Sequence, residues 1–189
     1  MIAKPEPTRI GVDGYLAGEE LAEVRHEYIG GDVYAMAGGS EEHGMIVGNL
    51  FAALHGHLRG GRCRVFASDM KLRLQLRDED IFYYPDLLVT CAPQDIDRHF
   101  KRHPQVLVEV LSPSTERIDR REKLWSYIQV ESLQEYVLVA QDRREVTVYR
   151  RSNGWSPEVL RSPEDVLTLD SLGFSVLLPV IYEKAGVPA

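Results

Sequence analysis

Polar and apolar residues alternate most regularly from Met70 to Arg77. Met70, Leu72, Leu74 and Leu76 fall on one side, and Lys71, Arg73, Gln75 and Arg77 on the other. A period of two belongs to a strand with one covered face, so a half-exposed strand is expected here. Two other runs are apolar almost throughout, Tyr83-Tyr84-Pro85-Asp86-Leu87-Leu88-Val89 and Val106-Leu107-Val108-Glu109-Val110-Leu111. Their length and their wealth of Val and Leu predict buried strands. A helical period follows Gly38-Gly39: Ser40 can cap, Glu41 and Glu42 suit a positive first turn, and Ile46, Val47, Leu50, Leu54 and Leu58 share a face. A second helix is expected over residues 118–130, with Leu124, Tyr127 and Ile128 towards the core.

Weaker signals complete the outline. Residues 16–24 are spaced like a short helix, and residues 27–36 like a hairpin turning at Gly30-Gly31 or Gly31-Asp32. Residues 92–104 form a polar connection. Residues 135–140 and 145–149 predict a hairpin across Asp142-Arg143, and short strands with an apolar tail from Leu172 to Tyr182 close the chain. Helix, strands, helix, strands describes an α/β sandwich with a mixed central β-sheet flanked by helices and an added N-terminal hairpin.

The 189 residues, 44% of them hydrophobic, suffice for one substantial core, and a single domain over 1–189 is expected. No stretch has the length and apolarity of a membrane span, and the first residues lack the apolar segment of a secretory signal, so a cytoplasmic location is expected. Cys63 and Cys91 form no CxxC and read as buried small hydrophobes without chemistry. A net charge of −7 argues against a protein that coats DNA nonspecifically, because such binding rests on Lys and Arg neutralising phosphates. A local basic groove stays open, with candidates in Arg98, Lys101 and Arg102, in Arg117, Arg120, Arg121 and Lys123, and in Arg143, Arg144, Arg150 and Arg151.

Chemistry concentrates on two acids. Asp86 follows a proline at the mouth of one apolar run and Glu109 stands inside the other. An ionised carboxylate in a buried strand is costly unless it meets a cation or several hydrogen bonds, so a positive group is expected between them. A hard divalent ion fits, since Mg²⁺ binds through one or two carboxylates together with phosphate and water. Asp119, Lys123 and Tyr127 recur at i, i+4 and i+8, which places an amine beside the buried helix face. Zinc chemistry is not supported, because His55 and His57 diverge on a helix and His99 and His103 fall in a loop. No Gly-x-Ser-x-Gly elbow or phosphate loop is present.

Pro85-Asp86, Glu109-Val110-Leu111 and Lys123 together resemble the PD-(D/E)xK nuclease superfamily with a displaced lysine. The nearest branch is the Uma-two family of restriction-endonuclease-like proteins. The similarity runs from about Tyr28 to Arg151 and takes in Gly30-Gly31-Asp32, Ser40 to His43, Ser68-Asp69, Glu109 to Thr115 and Glu122-Lys123-Leu124. It implies a restriction-endonuclease-like core and a magnesium-dependent endonuclease, with Mn²⁺ able to substitute, acting on nucleic acid, with DNA the expected substrate and RNA left open. Asp86 and Glu109 would hold the metal and Lys123 would assist the attacking water. Leu111 stands where the basic motif has its own lysine, on the same strand face as Glu109. His43, Glu27, Ser112 and Asp119 are auxiliary candidates for phosphate or metal shell, with Asp69 a further acid. A homodimer is expected from nucleases that cut two strands. The alternative is an inactive nuclease-fold module that binds nucleic acid or a protein, with Asp86 as a turn residue, Glu109 in a structural ion pair and Lys123 on the helix surface.

Overall fold

The computed structural model describes residues 9–36, 38–112 and 119–188. Thirteen strands, β1 to β13, are found among them. A five-stranded sheet has the order β2 (Asp32–Ala35), β1 (His26–Ile29), β5 (Glu79–Tyr83), β4 (Lys71–Leu76), β7 (Phe100–Lys101). A six-stranded sheet runs β11 (Pro157–Leu160), β10 (Val146–Arg150), β9 (Glu135–Ala140), β8 (Pro104–Leu111), β6 (Leu87–Thr90), β3 (Arg64–Ala67). Both are mixed, with β4–β7 and β8–β9 parallel. A ribbon of β12 (Val166–Leu169) and β13 (Phe174–Leu177) stands apart.

The alternation along β8 explains how the layers stack. Val106, Val108 and Val110 point to one face, where they join Ile46, Val47, Leu50 and Leu54 of helix α2 (Glu41–Leu58). Leu107 and Leu111 point to the other, against Leu72, Leu74, Ile81 and Tyr83 of the five-stranded sheet. The outer face of that sheet is covered by α1 (Val12–Glu19), through an aromatic cluster of Tyr15, Tyr28, Phe82 and Phe100. The order is therefore helix, sheet, sheet, helix, which is the expected α/β architecture with its strands divided between two stacked sheets. Two short helices, α3 (Leu124–Tyr127) and α4 (Leu178–Ile181), complete the set.

Local expectations fare unevenly. The first hairpin turns at Gly30-Gly31, both with positive φ, and Ser40 caps α2 by accepting from His43 N at 3.3 Å. The first helix starts earlier than its spacing suggests, at Val12 instead of residue 16. The polar connection after β6 contains β7, paired to β4. β4 is half-exposed as its alternation predicts, with Gln75 at the surface, except at its start, where Lys71 is buried over the Tyr84 ring and Arg73 lies half-buried over Phe82 and Phe100. The aliphatic stems of long cations line apolar surface well, which is how the two cations at the start of the strand are accommodated. The helix expected over 118–130 is a π-helical turn, Asp119–Lys123, leading into α3, while Ile118 lies outside the described residues.

The cysteines require a correction. Cys63 and Cys91 form a disulfide. Arg64 pairs with Thr90 in the antiparallel β3–β6 ladder, so the residues one step beyond, 63 and 91, face each other across the strands. Their separation of 28 residues gave no hint of that register.

Candidate active site

The chain crosses from one sheet to the other at Tyr84-Pro85-Asp86, between β5 and β6. The crossing is pinned at both ends. Ser68 N donates to the Asp86 carbonyl at 3.0 Å, and the Tyr84 hydroxyl donates to Glu19 Oε2 at 2.6 Å. Leu87 pairs with Val108, so the antiparallel register carries Asp86 alongside Glu109. The Asp86 carboxylate uses this position: Oδ2 accepts from Val110 N at 2.6 Å, and His43 Nε2 stands 3.2 Å from both carboxylate oxygens. His43 reaches it from the first turn of α2, where Ser40 fixes the start of the helix.

Glu109 points into the layer between the sheets and is only 3% exposed. Its Oε1 accepts from Lys123 Nζ at 3.1 Å and from the Tyr127 hydroxyl at 2.8 Å. Lys123 also lies 3.0 Å from Glu27 Oε1, on the inward face of β1, and its ammonium stands 5.4 Å from the centre of the Tyr83 ring. One buried amine thus bridges acids from both sheets. Such a charge is tolerable in the interior only because it is paired. Burial, reinforced by the neighbouring Glu109 charge, pushes the Tyr127 hydroxyl well above its ordinary pKa, so it stays protonated and donates. Burial likewise raises Tyr83.

Among the sequence-selected residues, Glu109, Glu27 and Lys123 meet in the layer between the sheets, while Asp86 and His43 pair at the adjoining corner. Lys123 enters from the following helical segment into the layer where Leu111 packs, on the strand face it shares with Glu109. Ser112 follows β8 directly. The backbone of Asp119 opens the π-helical turn. Ser114, Thr115 and Arg117 lie outside the described residues. Asp69 does not join the cluster, because it pairs with Arg25 at the surface. Lys71 lies elsewhere, over Tyr84. Several of the basic candidates are spent on structure: Arg151 donates to the Leu133 and Val130 carbonyls, Arg150 to Glu158 and Thr168, and Arg143 to Asp142 and Glu145.

Tyr127 is the member that sequence reasoning assigned to packing alone. Its i+4 spacing from Lys123 was visible, but only the position of Glu109 shows that both side chains meet one oxygen. Among the described residues, no group of three or more His, Cys, Asp or Glu side chains is arranged to cage a metal ion.

This is a mixed α/β fold whose acids flank the point where the chain passes between two sheets, and the same fold occurs in a solved nuclease-like protein. A crystal structure from Anabaena variabilis, described as a putative nuclease belonging to DUF820, superimposes with a TM-score of 0.75 at 19% identity, covering 93% of this chain and 99% of the other. The chain belongs to the Uma2 family, described as "Putative restriction endonuclease", whose model matches residues 12–180. Two Synechocystis proteins of the curated set are similar. The uncharacterized protein slr1290 is 37% identical over 92% of both chains, and the uncharacterized protein sll1609 is 31% identical over 72% of this chain and 78% of its own.

Proposed function

We propose that the protein is a metal-dependent endonuclease that hydrolyses phosphodiester bonds of DNA at the Asp86–Glu109–Lys123 cluster. The observation that carries this reading is the placing of three acids and a buried amine around the corner where the chain passes between the sheets. Glu27 and Glu109 share the Lys123 ammonium, and a third carboxylate, Asp86, stands one register step beyond the Leu87–Val108 pair with His43 beside it. Glu27 Oε1 is buried and, although close to Lys123, has no hydrogen bond of good geometry. A divalent cation would find carboxylate oxygens there.

The donor set suits a hard ion that binds through few protein oxygens. Asp86 and Glu109 would hold it, with Glu27 as a further oxygen, and the remaining ligands would be water and substrate phosphate. When bound, the ion would supply Lewis-acid stabilisation of the phosphate charge. The chain's own groups would do the rest. Lys123 would orient the attacking water or stabilise charge on the phosphate oxygens, the role of the missing lysine at Leu111. Tyr127 would hold Glu109 in place, and His43 would hold Asp86. In the hydrolysis, water forms the new bond to phosphorus, the bond to the leaving sugar oxygen breaks, and that oxygen takes up a proton.

One feature favours a second reading. Lys123 and Tyr127 already satisfy one Glu109 oxygen, as they would in a binding module whose acids only hold the fold together. Thermal unfolding in Mg²⁺ and Mn²⁺ separates the two. The nuclease reading expects each ion to raise the melting temperature and Asp86→Ala to remove the shift. No shift at millimolar metal in the native protein favours the module.

A further inference from the structure

At the edge of the layer that holds the acids, a groove of about 560 Å³ lined by Ile29, Ile81 and Tyr83 opens to solvent. Its wall holds Trp125, which is 47% exposed although it belongs to the short helix whose neighbours Ser126 and Tyr127 are buried. Lys123 and Trp125 are two apart, so the segment that sends the amine inward turns the indole outward. The Arg77 guanidinium stands 5.3 Å from the centre of a Trp125 ring. Arg121, from the π-helical turn, lines the same groove.

Arg77 is also an unusual choice for its backbone. It and Asp78 form the β4–β5 turn with φ of 48° and 68°. Two-residue hairpins with both central residues in this region favour Asn-Gly or Asp-Gly, because side chains there are strained. A turn that keeps a long cation where glycine chemistry is preferred, and lays it against an exposed indole, points to a ligand.

We infer that this groove stacks an unpaired base of a DNA strand beside the scissile phosphate. The inference rests on the nuclease reading and names its substrate class. An exposed indole flanked by two guanidiniums suits a ligand that is both flat and anionic, and a nucleotide is both. In a duplex the faces of a base are covered by its neighbours, so only a single strand, a flap or a frayed end offers one. Tyr83 joins the two places: its ring lies by the Lys123 ammonium and lines the groove. Glu79 and Glu122 also line the groove and repel phosphate. They favour a base at the indole, with the backbone held on the Arg77 and Arg121 side.

The test is binding to a dye-labelled twelve-nucleotide single-stranded DNA, with the blunt duplex and the RNA of the same sequence as parallel arms, in Ca²⁺ and read by anisotropy. The single-stranded DNA should bind tighter than either. Trp125→Ala should weaken it about tenfold or more, the scale of losing one stacked base, while Trp125→Phe retains most of the affinity. Arg77→Ala should also weaken it. The idea is overturned by absence of binding, by equal affinity for duplex, by preference for RNA, or by a Trp125→Ala variant that binds like wild type. Cleavage is not part of the readout, so failure of the nuclease reading would show separately, as tight single-strand binding by a chain that does not cut.

Discussion

Of the three lysines buried among the described residues, Lys71 and Lys123 lie on opposite faces of the five-stranded sheet, and they differ in company. Lys123 lies in the layer between the sheets, with Glu27 and Glu109 at 3.0 and 3.1 Å. Lys71 lies on the outer face over the Tyr84 ring, and the acids that act on it, Glu19, Glu20 and Asp97, exert their effect without an ion pair of comparable closeness. Burial lowers the Lys71 pKa, and those acids offset it only in part. Depth alone therefore does not mark a working amine. What distinguishes Lys123 is that its charge is held by acids of both sheets, next to the corner that carries Asp86.

The largest difference should appear in turnover. Lys123→Ala is expected to reduce plasmid cleavage by about 10²–10⁴, the scale of losing a positioned proton-transfer group, whereas Lys71→Ala leaves the rate close to wild type. Equal losses in the two variants would erase the distinction. Adding Leu111→Lys to Lys123→Ala returns an amine to the strand face of Glu109 and should recover part of the activity, with some loss of stability from a polar head in a packed layer.

Stability should separate the lysines next. In denaturant titrations without metal, Lys123→Met leaves Glu27 and Glu109 facing each other and should cost about 3–5 kcal/mol. Lys71→Met breaks no close pair and should be near neutral or slightly stabilising. A smaller effect is expected at Tyr127→Phe, which removes one hydrogen bond to Glu109 and should cost about 1–3 kcal/mol, measured in the same way.

The smallest effect concerns pH. Because the folded state lowers the Lys71 pKa below its ordinary 10.5, the unfolded chain binds more protons at this site between the two values. Folded stability should therefore rise through that alkaline window relative to Lys71→Met, and the difference between the two proteins should flatten below it. A difference that is constant with pH would mean that burial does not tax the Lys71 charge.

The elements that carry the site were legible because each is local. The run through Glu109 announced a buried strand, the run through Asp86 announced the strands on either side of the corner at residues 84–86, and the Lys123 to Tyr127 spacing announced an inward helix face. What stayed hidden is non-local. Periodicity along one strand does not say that β5 and β6 belong to different sheets, nor that the corner between them brings Asp86 beside Glu109. The Cys63–Cys91 disulfide depends on the β3–β6 register, and Tyr127 joins the site only because Glu109 reaches it. The covering of Lys71 by Tyr84 is likewise a contact between segments that alternation along β4 does not reveal.

The central claim is that Glu109, held by Lys123 and Tyr127, serves phosphodiester hydrolysis. Nicking of supercoiled plasmid by the wild-type chain and by Glu109→Gln, each in Mg²⁺ and in EDTA, tests it most directly. The account predicts nicking by the wild type in Mg²⁺ alone and none by Glu109→Gln, which should remain folded because the amide keeps the shape of the side chain. A folded Glu109→Gln variant that nicks at the wild-type rate, or a wild-type chain that does not nick in either condition, would contradict it.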